Sequence, residues 1–294
     1  AMADLPYHIY DVFTDTPYRG NPLAIVEEAD GLTDAQMQAM AAEFNLSETI
    51  FVHPPADVAN AAKVRIFTPR SELPFAGHPT IGCALHLAGG ATGVVVLEEV
   101  AGRVPVNIVA VDGQFEATLT APRIPEGGPV VLDPDLVAAA IGLEPRDLGP
   151  DAPAVFEGGP TFLYLAVTSD AALARARPTE PAWSALTTAA GTGDVYVYAR
   201  GLGFDYDARM FAPVEGIDED PATGAATAIL AGQLLSEGHL ADGTSTLRLR
   251  QGHAMGRESH LGLSVDVASG AITAIRVNGR AVRVASGRII PPLA

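Results

Sequence analysis

Thiols and amines are almost missing from this chain. Its 294 residues include one cysteine, Cys83, and one lysine, Lys63. A single thiol excludes an internal disulfide framework and any racemase that needs two thiols from one chain. A Schiff-base enzyme would have to use Lys63, which opens the strand-like run 63–67 and is expected at the surface. No apolar run reaches the ~18 residues of a membrane span. The start, Ala1 to Tyr7, has neither the basic nor the apolar stretch of a secretory signal, so a cytoplasmic protein is expected. Basic charge is scarce as well: 18 Lys and Arg face 35 Asp and Glu, a net charge of −17. Binding a phosphate backbone takes a basic footprint, so nucleic acid is not the expected ligand, although a local pocket for a small anionic metabolite is compatible. His78, His86, His239, His253 and His260 fall in no His-Glu-x-x-His or His-x-x-x-His pattern, so no metal is expected. The glycine pairs Gly191/Gly193 and Gly201/Gly203 lack the strand–GxGxxG–helix setting of a dinucleotide site and read as turns.

What the chain does have is a long internal repeat. Arg65, Phe67 and Pro69 are followed by Pro74, Gly77 and Thr80; Arg209, Phe211 and Pro213 are followed by Pro221, Gly224 and Thr227. Each copy reads Arg-x-Phe-x-Pro, a short acidic loop, Pro-x-x-Gly-x-x-Thr and a helix of small residues. The first loop carries Glu72, the second Asp218, Glu219 and Asp220. A repeat spanning strand, loop and helix start implies two related lobes, whose loop-to-helix junctions are expected to face a cleft. The 48% hydrophobic composition supplies a core for two domains of ordinary size.

Along the chain, 8–13 and 23–26 read as strands around a turn at Gly20, Asn21 and Pro22. Thr33 caps a helix with Gln36 completing a capping box, and Asn45 ends it in a left-handed conformation. Residues 46–52 read as a strand in which Leu46, Glu48, Ile50 and Val52 share a face. Helices are expected at about 79–87, at 133–141 capped by Asp133 or Asp135, at 181–189 and at about 225–235. Strands are expected at 94–99, 104–111, 115–120, 161–168, 194–200, 245–251, 261–267, 271–277 and 281–284. The segment from Pro122 to Pro129 reads as the linker between lobes.

Two features carry chemistry. Helix N-termini leave amide N–H groups unpaired and carry partial positive charge, so 77–80 and 224–227 offer places for a carboxylate or enolate. Glu48 is an acid on an apolar strand face; burial there would lift its pKa towards neutrality and suit it to acid/base work. The plainer alternative is a Glu paired with arginine or held by backbone donors. His78 is a proton carrier, a substrate hydrogen-bonding group or a capping group, and Asp220 is a second carboxylate or a helix cap.

As a set, Asn45-Leu-Ser-Glu48, Pro74-Phe-Ala-Gly77-His78-Pro, Glu219-Asp220-Pro-Ala-Thr-Gly224, Gln251-Gly252 with Gly256-Arg257, and the early Gly20-Asn21-Pro22 resemble the PhzF family from about Tyr7 onward. These are phenazine-biosynthesis-like isomerases on the diaminopimelate-epimerase fold. The resemblance implies an α+β chain of two pseudo-symmetric lobes, each a curved, mostly antiparallel sheet round a central helix, with the site between them. Its expected extents are 1–121, to which a strand at about 283–294 returns, and 122–282. It implies a homodimer and a cofactor-free isomerase moving a proton between carbons of a small carboxylate-bearing metabolite, like the isomerases of trans-2,3-dihydro-3-hydroxyanthranilate. Glu48, His78 and Asp220 are then catalytic, and Asn21, Gly77, Gly224 and Ala225 bind substrate. Ala225 stands where the phenazine enzyme has serine; losing a designed polar contact changes substrate choice. A carboxylate-based epimerase or racemase, and a non-catalytic metabolite-binding protein, are the alternatives on the same fold.

Overall fold

The computed structural model describes residues 4–293. Residues 1–3, part of the stretch read as leaderless, and Ala294, at the end of the expected returning strand, lie outside the described residues. The chain divides into two compact units, one of 1–120 with 278–294 and one of 121–277.

The first unit opens with β1 (Leu5–Val12) and β2 (Asn21–Val26), then α1 (Asp34–Phe44), β3 (Glu48–His53), β4 (Ala62–Phe67) and β5 (Glu72–Leu73). It continues with α2 (Gly77–Ala88), β6 (Gly93–Glu99), β7 (Gly102–Val111) and β8 (Gln114–Thr120). The second unit runs β9 (Glu126–Pro129), α3 (Pro134–Ala140), β10 (Ala154–Glu157), β11 (Thr161–Ala166), α4 (Asp170–Arg175) and α5 (Ala182–Ala190). Then come β12 (Val195–Arg200), β13 (Tyr206–Ala212), β14 (Ile217–Asp220), α6 (Gly224–Ser236), β15 (Gly243–Gln251), β16 (Ser259–Ala268) and β17 (Ala271–Gly279). The last strand, β18 (Ala281–Ile289), pairs antiparallel with β1 of the first unit.

Both units use one pairing scheme. In the first, β1/β2 is antiparallel, β2/β3 parallel, β3/β4 and β4/β5 antiparallel, β4/β6 parallel and β6/β7 antiparallel. In the second, β10/β11, β11/β12, β12/β13, β13/β14, β13/β15 and β15/β16 repeat that order of senses. The sequence repeat is therefore a structural one, and the α+β class is as expected.

Its repeated letters have mechanical reasons within each copy. The Arg65 guanidinium donates to both oxygens of Glu72, at 2.7 and 2.6 Å, and Arg209 does the same to Glu219 at 2.9 and 2.7 Å. Each fork clamps a short hairpin. The stretches read as acidic loops are thus the strands β5 and β14, because the arginine neutralises the acid on the opposite strand. Each Arg also lies over its own Phe, 5.3 Å from the Phe67 centroid and 4.9 Å from that of Phe211. Those phenylalanines anchor the cores edge-on, Phe67 against Phe51 and Phe211 against Trp183. In the first unit α1 covers this layer with Met37 and Met40. In the second, Ala140 and Ile141 at the end of α3, Leu173 of α4 and Leu186 of α5 do so.

The two small-residue helices, α2 and α6, pack against strands of their own units. Small side chains let the strands close on the helix. A Cβ at Gly82 would meet Leu23 at 2.6 Å, and one at Gly232 would meet Phe156 at 2.7 Å. The capping box of α1 forms between Thr33 and Gln36, and Asn45 ends that helix at φ 51°. Lys63 is exposed, as expected. Part of the expected linker is instead β9, held by antiparallel pairing to β10, so glycine and proline content misled there. The short β10 and α4 carry no periodicity long enough to read.

Candidate active site

In the first unit, a strand start and a helix start bring the site residues together. Glu48 is the first residue of β3, not the third of a longer strand as the alternation suggested, and β3 is covered on both faces, with Thr49, Ile50 and Phe51 all buried. His78 is the second residue of α2, with a side chain only 3% exposed; its Nδ1 stands 2.7 Å from Glu48 Oε2. An imidazole, rather than the arginine of the plainer alternative, thus faces this carboxylate. The two side chains are close enough for a proton to pass between them once they align. Asn21, fully buried, opens β2, and Gly77 opens α2.

The start of α2 has no side-chain cap at Ala76. Pro79 has no N–H, and the Thr80 amide already donates to Ala76 O at 3.3 Å. The expected anion-binding run 77–80 therefore loses at least two of its four amides, those of Pro79 and Thr80. Sequence reasoning missed the neighbour that fastens this turn: Thr80 Oγ1 lies 2.6 Å from both Ala76 O and Glu99 Oε1. Glu99, at the end of β6, is buried, and burial pushes its carboxyl up to about 8.

In the second unit Asp220 ends β14, buried, and opposes Met210. Its Oδ2 accepts from Thr223 Oγ1 at 2.5 Å. The buried Gln251 organises this turn: its amide nitrogen donates to Asp220 O and Thr223 Oγ1, and its carbonyl accepts from the Thr223 N–H. That is the local reason for Gln251, while Gly252 sits at φ 72°, where a Cβ would meet Pro221 O at 2.6 Å. α6 then starts at Gly224 without a side-chain cap. The Thr227 amide is spent on Thr223 O, leaving those of Gly224, Ala225 and Ala226. Ala225 occupies the position that His78 has in the first copy, so the two helix starts are chemically unlike.

Register exposes one further acid. Thr49 opposes Phe67 in the first unit, and Val195 opposes Phe211 in the second. Asp194, just before Val195, is therefore the counterpart of Glu48. Burial, with added repulsion from Glu215 and Asp220, pushes Asp194 up to about 6. Alternation alone could not find it, because the match needs the ladder. A cavity of about 320 Å³ in the first unit, lined by Tyr10, Asp15, Phe115 and Arg280 among others, includes none of these residues.

Known proteins resemble this chain along nearly its whole length. The family model "Phenazine biosynthesis-like protein" matches residues 10–287. An uncharacterized isomerase of Mesorhizobium japonicum is 39% identical, over 96% of this chain and 98% of that protein. The trans-2,3-dihydro-3-hydroxyanthranilate isomerase of Pseudomonas aeruginosa is 35% identical over 96% and 98%. Among solved structures, a Bacillus anthracis phenazine biosynthesis protein of the PhzF family aligns with TM-score 0.88 at 24% identity, covering 98% of this chain and all of that one. No helix among the described residues is long and apolar enough to cross a membrane.

Proposed function

The chain belongs to the phenazine biosynthesis-like (PhzF) family and is an isomerase, and we propose that Glu48 is the group that moves its proton. The observation that carries this is the 2.7 Å approach of Glu48 to His78 at the uncapped start of α2. Glu48 takes a proton from a carbon next to an electron-withdrawing group of a small carboxylate-bearing metabolite. The electron pair left behind delocalises onto the substrate's oxygens, where the Gly77 amide and the positive end of α2 favour negative charge. Glu48 then returns the proton to a second carbon, so atoms and charge balance without a cofactor. His78 orients the carboxylate and hydrogen-bonds substrate. Asn21 contributes to binding.

In the second unit, Asp220 is proposed as the carboxylate that holds a polar or cationic substituent, with Gly224 and Ala225 as backbone contacts. The substrate named for the Pseudomonas aeruginosa relative is the reference compound, but Ala225 offers no hydroxyl, so a different member of the class is expected to be preferred. A homodimer and a cytoplasmic setting complete the reading; light scattering on the purified protein tests the first.

The test is a panel of small unsaturated and amino acids in D2O, followed by NMR. The reading expects deuterium at carbon in at least one acid together with a shifted double bond. A second reading, an epimerase using two carboxylates, is favoured by Asp194 occupying the Glu48 position of its own unit. It predicts deuterium at a stereocentre with inversion and no moved double bond. Saturable binding without deuterium uptake across the panel would favour the non-catalytic alternative.

A further inference from the structure

A second cluster of titratable groups lies in the first unit, towards the far end of α2 from His78. In the β1/β2 ladder, His8 opposes Ile25 and Tyr10 opposes Leu23. The Glu27 N–H donates to Pro6 O at 3.0 Å. Positions 6, 8, 10 and 27 therefore share one face of the sheet. The last turn of α2 sets His86 on that face: its Nδ1 is 3.0 Å from the Tyr10 hydroxyl and its Nε2 2.7 Å from Glu27 Oε1. His8 Nε2 is 3.5 Å from Glu27 Oε2, and the two imidazole rings are 4.6 Å apart. One ligand atom from each of His8, Glu27 and His86 lies within 4.8 Å of the others.

We propose that His8, Glu27 and His86 bind a divalent transition-metal ion of the zinc class, as a clip joining β1, β2 and α2. Zinc takes imidazole and carboxylate donors at about 2.0–2.2 Å in tetrahedral geometry, which sets donor atoms roughly 3.3 Å apart. Glu27 stands 2.7 Å from His86 and 3.5 Å from His8, spacings that bracket that value, so small side-chain adjustments admit an ion among the three. Tyr10 supplies the outer contact typical of a metal-bound imidazole: with an ion on His86 Nε2, its hydroxyl, 3.0 Å from Nδ1, would accept from Nδ1–H. Three protein ligands leave the fourth position to water. One carboxylate against a dication leaves a local excess of +1, acceptable in a chain of net charge −17. The ligands come from three elements, Glu27 and His86 being 59 positions apart, so no sequence spacing betrays them.

The test uses the full chain, stripped with chelator and titrated with Co2+ in visible light, then with Zn2+ in competition. One equivalent of Co2+ should bind with the intense visible bands of a four-coordinate site, and Zn2+ should displace it. H8Q and H86Q should erase the bands, E27Q should weaken binding at least tenfold, and Y10F should weaken it about tenfold. H239Q and H253Q, which alter imidazoles beside Asp151 and Asp170, should change nothing. A wild-type protein with no saturable Co2+ band, or a band that survives in H8Q/H86Q, overturns the proposal; the cluster is then a proton-bridged network only. The wild-type titration decides the matter even where a variant fails to fold.

Discussion

Replacing Glu99 by glutamine should make the protein less sensitive to alkali. Thr80 Oγ1 has one hydrogen and two partners at 2.6 Å, Ala76 O and Glu99 Oε1. A backbone carbonyl can only accept, so the hydroxyl hydrogen goes to Ala76. Glu99 must then donate to Thr80, which requires a protonated carboxyl. The burial that pushes Glu99 from 4.5 up to about 8 agrees. The sign follows from that direction. The folded value lies above the unfolded one, so the stabilising share is fully present below about 4.5. It is lost as pH rises towards about 8, because the unfolded chain releases a proton that the folded one keeps. At about 1.36 kcal/mol per pKa unit, the loss is at most about 5 kcal/mol. Glutamine has nearly the same shape, donates N–H to Thr80 and does not titrate. Urea unfolding of wild type and Glu99→Gln at pH 5, 7 and 9 reads the difference. The variant should be no more stable than wild type at pH 5, and its relative stability should climb by several kcal/mol by pH 9. Parallel stability curves across that range would refute the neutral carboxyl.

The two repeat arginines should differ in weight. Arg209→Ala strands Glu219, both side chains being nearly buried, and should cost about 3–5 kcal/mol. Arg65→Ala breaks pairs with Glu72 and the exposed Asp34 and should cost about 1 kcal/mol; equal losses in chemical unfolding would contradict the clamp argument. Asp220→Asn keeps its bond to Thr223 in shape while removing charge, so KM on an active substrate should rise more than kcat falls. A kcat loss as large as that of a Glu48 variant would make Asp220 a proton-transfer group instead.

What the sequence disclosed depended on range. Thr33 with Gln36 and Asn45 marked both ends of α1 because capping is local chemistry. The Arg-x-Phe-x-Pro repeat disclosed the duplication, since the same clamp and edge-on aromatic contact were kept twice. The hairpin strands β5 and β14 were hidden because their acids look like loop residues until the opposing arginine is seen. Alternation drew attention to Glu48 on a longer strand than the one that forms, and its partner His78 comes from a helix 30 positions on. Glu99 and Asp194 owe their raised pKa values to burial and register, neither of which has a local signature. The His8, Glu27 and His86 cluster is the extreme case, one residue from each of three elements.

The central claim, that Glu48 carries the proton, is tested most directly by solvent-deuterium uptake into carbon for wild type and Glu48→Gln on one active substrate. Glutamine preserves shape but cannot cycle a proton, and a general acid/base group contributes on the order of 10²–10⁴-fold. Uptake and turnover in Glu48→Gln should therefore fall together by about that factor, with ligand affinity changed far less. Deuterium uptake at the wild-type rate in the variant would contradict the account.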